Sequence, residues 1–188
     1  MDRSWEDVYV NQIRTSARSI ESAVGFFAPR LADATVYLAG IGKSGLIARK
    51  CVATWQSMGL SCHYMSVPDM LHGDIGVLRP GDGILYCSNS GNTSELIAVT
   101  EYIRSNKPYV SQFLVSNNPV PTVTAVDQHF MIGTSTFVEA DSANRAPSVS
   151  SVIFMMFLDQ LGIRIAETNG ITAEGFRQNH PSGELGRK

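Results

Sequence analysis

Hydrophobic and polar residues recur along the chain with two different periods, and these periods predict a regular succession of strands and helices. Short, almost wholly apolar runs such as TVYLAGI and GILYCS are typical of strands buried on both faces. Longer segments with apolar residues three or four positions apart, such as GLIARKCVATWQSMG, are typical of helices packed on one side. The predicted strands span residues 35–41, 61–67, 83–88, 109–117 and 128–133, and the predicted helices span 5–32, 45–59, 93–106, 119–127, 149–169 and 172–179.

Strands and helices alternate through the whole chain, with an irregular connection expected at 68–82. Apolar strands joined by helices predict a parallel sheet covered on both faces, because right-handed crossovers place helices on each side. The predicted fold is therefore α/β, a doubly wound five-stranded parallel sheet of flavodoxin-like type. We expect one domain over 1–188, since no repeat or linker interrupts the pattern.

Composition and charge remove several classes of function. The net charge of −2 offers no basic field for nucleic acid or acidic membranes. Asp2, Glu6 and Asp7 occupy the place where a signal peptide would have its apolar core, and Asp159 interrupts the longest apolar run. The three cysteines lack metal-ligand spacing and are expected to be reduced. A cytoplasmic protein with no metal, no nucleic acid and no membrane partner is predicted.

The segment SNSGNTSE directly follows the predicted strand GILYCS and opens the next helix. Small residues allow an anion to approach the N–H groups of a helix start, and hydroxyls add donors without adding charge. Ser88, Asn89, Ser90 and Thr93 are therefore predicted to bind a phosphate monoester. The alternative is a polar turn with Asn92 as the helix N-cap, in which Glu95 only completes a capping box.

A second loop, AGIGKSG, follows the first predicted strand and matches the spacing of a dinucleotide fingerprint. That fingerprint needs an acidic residue at the end of the next strand, whereas the nearest candidate, Asp69, comes later, in a loop. A Walker loop fails because Tyr37 stands where its first glycine belongs. We interpret Lys43 as a cation directed at the cleft. Three further polar residues, His72, Glu139 and His180, are each more often structural when taken singly.

The segments GIGKSGLIARK, LHGDIGVLRPGD, SNSGNTSE and HPSGELGRK together resemble the SIS (sugar isomerase) domain family, and within it the D-arabinose 5-phosphate isomerases. The resemblance runs from about residue 30 to the end and does not extend to the C-terminal CBS modules of many relatives. By motif, the family's catalytic positions fall on Lys43, Glu95, Glu139 and His180, and its substrate-binding positions on Ser44, His72, Ser88, Ser90 and Thr93. This chain has EADSANRAPS where the family usually reads close to EACPLGLAPT, so the loop that follows Glu139 differs in polarity.

The resemblance implies interconversion of D-arabinose 5-phosphate and D-ribulose 5-phosphate through an enediol, with the aldose serving as a precursor of Kdo in lipopolysaccharide. Such a reaction needs a proton shuttle and a group that polarises the carbonyl, but no cofactor. A carboxylate whose pKa is raised by partial burial would suit the shuttle, and Glu95 and Glu139 are the candidates. The resemblance also implies a homotetramer in which His180 reaches a neighbouring subunit's site. A sugar-phosphate sensor without catalysis and a nucleotide-binding domain remain the alternatives.

Overall fold

A computed structural model describes residues 4–134, 136–182 and 184. The elements are α1 (Trp5–Leu31), β1 (Val36–Gly40), α2 (Gly42–Ser57), β2 (Cys62–Ser66), α3 (Val67–Met70), β3 (Gly83–Cys87), α4 (Ser94–Asn106), β4 (Ser111–Ser116), β5 (Gln128–Met131), α5 (Val149–Thr168) and α6 (Ala173–Gln178). The connection predicted to be irregular begins within α3 and contains one 3-10 turn, Asp74–Val77.

The five strands form one parallel sheet in the order β2-β1-β3-β4-β5. This is the flavodoxin-like strand order, and it confirms the predicted fold class. The central strands β1 and β3 are buried along their whole length. Their side chains alternate between two apolar clusters, one on each face of the sheet.

The two faces of the sheet are covered unequally. Helices α1, α2 and α5 pack over one face, where Leu38, Leu85 and Val115 point into the core. On the other face the apolar residues belong to α3, α4 and the segment 119–127, and they pack on Tyr86 and Leu114. The second layer is thus the thinner of the two, and an irregular segment supplies part of it.

The helix predicted for 119–127 is wrong, because this segment has no regular secondary structure and bends repeatedly along its length. Pro119 and Pro121 each disfavour helical geometry in the residue before them. The segment is instead tied to the sheet by the buried side chain of Gln112, whose Nε2 donates to the Ala125 carbonyl at 3.2 Å. Asp127 accepts from the Gln112 backbone N–H at 2.7 Å. The prolines and these hydrogen bonds therefore favour an irregular chain where the sequence had suggested a short helix.

Helix α5 is apolar around most of its circumference, and within the described residues it alone is long and apolar enough to cross a membrane. Slightly more than half of its most apolar window, 56%, is buried inside the fold. It packs against α1 and α2, and Asp159 forms an ion pair of 2.7 Å with Lys50 on α2. These contacts are those of a core helix, and its high hydropathy follows from its position between two other helices.

Helices α2 and α5 approach closely at Gly162, and we predict that a methyl group there is costly. The Trp55 indole lies where a Gly162 Cβ would be, and its Nε1 donates to the Leu158 carbonyl at 2.9 Å. Gly162→Ala should therefore lower the free energy of unfolding by about 2–4 kcal/mol, through overpacking and the loss of a buried hydrogen bond. Urea denaturation measures it. Gly25→Ala is the control, because a Cβ there meets nothing within 4 Å, so its stability should stay equal or rise. Equal stabilities of the two variants would contradict the prediction.

Candidate active site

The polar loops singled out in the sequence meet at the carboxyl edge of the sheet, between β1 and β3. In a sheet of this order the connections from these two neighbouring strands leave to opposite faces, which opens a crevice between them. Helix α2 begins just after β1, and the loop that follows β3 leads into α4. A pocket of about 280 Å³ lies there, lined by Gly40, Ile41, Ser44, Val67, Cys87, Ser88, Asn89, Ser90, Thr93 and Leu96.

The serine loop, residues 88–93, is folded by its own hydroxyl groups. Ser88 Oγ accepts from the Gly91 N–H at 3.0 Å, and Ser90 Oγ accepts from the Asn92 N–H at 3.2 Å. A serine hydroxyl that accepts in this way still has its own hydrogen to donate. In the described part of the chain neither hydroxyl donates to a protein acceptor. Both therefore remain available as donors to an anion in the pocket.

Helix α4 starts at this loop without a side-chain cap. Thr93 occupies the N-cap position, and its side chain makes no capping hydrogen bond. The alternative with Asn92 as the cap is wrong, because Asn92 Oδ1 instead accepts from the backbone N–H of Thr122 at 2.8 Å. An uncapped helix start next to the pocket offers free N–H groups and the positive end of the helix dipole.

Glu95 lies in the first turn of α4, between two residues that line the pocket, Thr93 and Leu96. Its carboxylate accepts from its own backbone N–H and from Ser94 Oγ at 2.9 Å, and these bonds lower the pKa of Glu95 below its ordinary value. The side chain is exposed. The expectation that partial burial raises the pKa of this carboxylate is therefore wrong for the single chain, because hydrogen bonding outweighs a desolvation that is slight at an exposed position.

The glycines of the first loop bring α2 into contact with the end of β1. A Cβ on Gly40 would lie 2.9 Å from the Gly45 backbone nitrogen, and a Cβ on Gly45 would lie 2.9 Å from the Gly40 carbonyl oxygen. Gly42 has φ +57°, a conformation that favours glycine. The glycine spacing that resembles a dinucleotide fingerprint thus allows α2 to pack closely on the end of β1. The strand β2 ends at Ser66, so the acidic residue that a dinucleotide site needs at a strand end is not there.

Lys43 lies in the first turn of α2 and lines a second, smaller pocket of about 180 Å³. Three residues line both pockets: Ile41, Ser44 and Asn89. The remaining walls of the second pocket come from α2 and from the start of α5, namely Ile47, Pro147, Ser150, Ser151 and Phe154. The Lys43 ammonium has no ion-pair partner among the described residues. Among the residues that the structure describes, no acidic one lines either pocket, so both suit a negatively charged ligand.

Glu139 is buried beneath the second pocket and holds the start of α5. Its carboxylate accepts from the Ser148 N–H at 3.0 Å, the Ser150 N–H at 3.1 Å and the Ser148 hydroxyl at 3.2 Å, and it also accepts from the Ser150 hydroxyl. A carboxylate at a helix N-terminus is stabilised by the free N–H groups and the helix dipole. Glu139 lines neither pocket, so it contacts the site through Ser150.

The structure does not bring the two predicted site histidines into these pockets. His72 is exposed in the turn after α3 and lines neither pocket. His180 follows α6, where its ring stacks on Phe176, and the adjacent Asn179 donates to the Ser57 carbonyl at 3.3 Å. Ser57 ends α2, whose 16 residues span roughly 24 Å from the pocket. His180 thus lies at the opposite edge of the sheet from Lys43 in the same chain.

Sequence reasoning missed a third segment at this edge, residues 117–123, which forms hydrogen bonds with the serine loop. Asn118 Nδ2 donates to the Ser90 carbonyl at 2.8 Å, and Val123 N–H donates to the Gly91 carbonyl at 3.1 Å. Asn117 and Asn118, two consecutive asparagines at the end of a predicted strand, are the sequence signal that could have identified this segment. The helix predicted for the residues that follow them concealed it.

Residues 31–164 match the SIS domain family, and the chain belongs to that family. Over 154 residues it is 32% identical to the arabinose 5-phosphate isomerase KdsD of Escherichia coli K12, with 81% of this chain and 46% of KdsD covered. An uncharacterized protein of Chlamydia trachomatis is 37% identical over 155 residues, covering 82% of this chain and 46% of that protein. The chain therefore spans about half the length of these curated relatives.

The fold also agrees with a solved structure, that of an E. coli CFT073 protein in complex with arabinose 5-phosphate. The TM-score is 0.76 at 25% sequence identity, and the match covers 90% of this chain and 93% of the other. Together with the family match, this similarity supports the SIS domain fold of the chain, and the two adjoining pockets lie at the carboxyl edge of its sheet.

We predict that the serine loop tolerates no side chain at Gly91. Its φ is +62°, and a Cβ would lie 2.5 Å from Pro121 Cβ. Gly91→Ala should displace the loop and weaken the binding of D-arabinose 5-phosphate by about tenfold or more, as measured by calorimetry, because loop donors are then misplaced. Gly170→Ala is the matched control, since Gly170 has a similar φ of +66° but nothing within 4 Å. If both variants bind the sugar phosphate equally well, the contact with Pro121 has no bearing on the site.

Proposed function

We propose that this protein is an aldose–ketose isomerase that interconverts D-arabinose 5-phosphate and D-ribulose 5-phosphate through an enediol. The observation that carries the proposal is the pocket between the starts of α2 and α4, with its free serine hydroxyls and with Lys43 in the adjoining pocket. The similarity to KdsD and to a protein solved with arabinose 5-phosphate supports this choice of sugar phosphate. No cofactor is needed for the reaction, and we place the protein in the cytoplasm without nucleic acid or membrane partners.

The shape of the two pockets suggests how the substrate would lie. A phosphate group fits the larger pocket, where Ser88, Ser90 and Thr93 provide hydroxyls and α4 offers its uncapped start. The carbon chain would then pass over Ser44 and Asn89 into the smaller pocket, since both residues line the two. This places the reacting carbons near Lys43. Holding the far phosphate converts binding energy into orientation at the reacting end.

The isomerisation moves a proton between C1 and C2 of the sugar. A base removes the proton from C2 of the aldose, the carbonyl oxygen at C1 gains a proton, and the enediol accepts a proton at C1 while the hydroxyl at C2 loses its own. The Lys43 ammonium is suited to stabilise the negative charge that develops on the oxygens. Glu95 is our candidate for the base, because its carboxylate is ionised and it belongs to the first turn of α4, beside the pocket residues Thr93 and Leu96 in sequence. Like Glu139, it does not itself line either pocket.

Glu139 was predicted to be catalytic with Glu95, and its contacts support a different role. Its carboxylate already accepts four hydrogen bonds from Ser148 and Ser150. Those bonds fix the first turn of α5, whose Ser150 and Ser151 line the pocket of Lys43. We therefore assign Glu139 to the support of this wall of the pocket, and proton transfer to Glu95.

The position of His180 supports an oligomer, if this residue takes part in the site as the resemblance implies. His180 lies at the opposite edge of the sheet from Lys43, about the length of α2 away, so it can reach such a pocket only in another copy. Exposed apolar side chains such as Trp5 and Leu46, which are 66% and 67% exposed, are typical of surfaces that another subunit covers. We propose a homotetramer in which His180 of one subunit assists ring opening or proton transfer in another.

A sugar-phosphate sensor without catalysis is the second candidate. The engaged carboxylate of Glu139 and the distance of His180 from the pocket favour it, since a sensor needs only the phosphate pocket. Incubation of the purified protein with D-ribulose 5-phosphate, followed by NMR of the sugar products, tests both. Formation of D-arabinose 5-phosphate supports the isomerase. Binding without turnover supports the sensor, and turnover of a different aldose phosphate would replace the proposed substrate.

Glu95→Gln should lower kcat by about 100-fold or more while the melting temperature stays close to that of the wild type, because glutamine can still accept from Ser94 but cannot take a proton. Near-normal turnover of this variant would remove Glu95 from the mechanism. Thermal unfolding and steady-state kinetics measure the two effects.

Ser94→Ala provides the matching test of pH dependence. The base must be ionised, so activity is lost as the pH falls through the pKa of Glu95. In the wild type that pKa is lowered, and the acid limb of kcat/KM due to Glu95 should lie below the ordinary value of 4.5. Removing the Ser94 hydroxyl takes away one lowering bond, so the limb should move to higher pH. An unmoved limb would mean that another group is the base.

Mixing two inactive variants tests the shared site. His180→Ala and Glu95→Gln subunits, mixed under conditions that allow exchange, should recover part of the wild-type activity, because some mixed sites contain both native residues. Mass spectrometry of the mixed oligomers establishes that exchange took place. Absence of recovery despite proven exchange, or a monomer by light scattering at micromolar concentration, would contradict the shared site.

A further inference from the structure

Asn117 comes directly after β4 and contacts the serine loop at two points. Its side-chain Nδ2 donates to Asn89 Oδ1 at 2.7 Å, and its backbone N–H donates to the Asn89 carbonyl oxygen at 3.1 Å. Asn89 in turn lines both pockets. We propose that Asn117 is a positioning residue, which orients the Asn89 amide so that its NH2 group binds the sugar phosphate where the two pockets join. The proposal rests on the proposed function for its substrate.

The orientation follows from the two ends of a primary amide. Its oxygen only accepts hydrogen bonds and its nitrogen only donates them. Because Asn117 holds the oxygen of Asn89, the nitrogen is the end left for another partner. In the described part of the chain, Asn89 Nδ2 has no protein acceptor. A donor fixed between the phosphate pocket and Lys43 complements a phosphate oxygen or the hydroxyl next to it, as do the hydroxyls of Ser88 and Ser90.

Asn117 itself is held in place by close packing. A Cβ on Gly133, just after β5, would lie 2.9 Å from Asn117 Cγ, so no larger residue fits beside this side chain. Asn117 Oδ1 is buried and has no hydrogen-bond partner among the described residues. Native structures contain few such groups. The unpaired Oδ1 is a cost of this position, and the bond from Asn117 Nδ2 to Asn89 is the interaction that accounts for it.

Other bonds hold the serine loop, so the Asn117 bond has a separate task. Asn118 Nδ2 binds the Ser90 carbonyl at 2.8 Å, and Asn92 Oδ1 binds the N–H of Thr122 at 2.8 Å. These contacts fix the backbone of the loop independently of the Asn89 side chain. Losing the bond between Asn117 and Asn89 should therefore change the direction of one amide group and leave the loop in place.

Asn117→Asp tests this idea because aspartate has the same shape but cannot donate. The Asn89 amide should then turn its nitrogen to the new carboxylate and its oxygen to the substrate. We expect KM for D-arabinose 5-phosphate to rise about tenfold or more while kcat changes by less than about threefold. Asn169→Asp is the matched control. It removes a similar bond, from Nδ2 to the Ala32 carbonyl at 2.7 Å, at the opposite edge of the sheet, and should leave KM unchanged.

A double-mutant cycle separates positioning from a general effect of charge. If Asn117 acts through Asn89, Asn117→Asp should have little further effect on KM in an Asn89→Ala background. An equal effect in both backgrounds, or a wild-type KM for Asn117→Asp alone, would overturn the proposal. Calorimetric Kd values for the same sugar phosphate give the same comparison without turnover, so a failure of the proposed reaction can be told apart from a failure of this inference.

NMR of the wild-type protein tests the same orientation without any substitution, so the result does not depend on whether a variant folds. The side-chain NH2 signals of Asn89 should shift when D-arabinose 5-phosphate is titrated, whereas those of Asn117 should shift much less, because only the former contact the ligand. The reverse pattern would mean that Asn117 presents its amide to the substrate, and would overturn the assigned orientation.

Discussion

The functional edge of this protein depends on the close approach of a helix start to the end of a central strand. The backbones of Gly40 and Gly45 are so near that a Cβ on either one would lie 2.9 Å from a backbone atom of the other. This approach places the first turn of α2, with Lys43 and Ser44, against the same crevice that the serine loop enters from β3. This approach lets the two pockets share Ile41, Ser44 and Asn89, so that a phosphate in the larger pocket, as proposed, would lie near the cation.

A second constraint comes from the start of α5, which forms the far wall of the Lys43 pocket. A helix of this length buried in a core leaves its first N–H groups in need of acceptors. Glu139 supplies them from the preceding loop, and Asn144 in turn accepts from the Glu139 backbone N–H at 2.5 Å. The polar residues of the loop 139–148 thus hold the first turn of α5, and this turn forms one wall of the Lys43 pocket.

The segment after β4 contacts the serine loop because it is not a helix. It runs beside this loop, and its side chains and backbone form hydrogen bonds with it. The irregular chain follows the loop closely enough for Asn118 and Thr122 to bind it at two different points. The residues that line the larger pocket follow the ends of β1, β2 and β3 or begin α4, and the segment after β4 holds the serine loop in position.

The sequence by itself determined the fold class, the five strands and the location of the serine loop between β3 and α4. These features depend on local patterns, such as apolar runs and small polar residues after a strand, which do not require knowledge of distant contacts. The tertiary structure alone decided which polar residues share a pocket. It put Lys43, Ser44 and Asn89 together, turned Glu139 towards the α5 start and left Glu95 exposed with a lowered pKa. It also separated His180 from the pocket by the length of α2 and left 119–127 irregular. The bonds that lower the pKa of Glu95 are local, but its exposure is not. Burial and the distances between segments arise only when residues far apart in sequence pack together, and no local pattern records them.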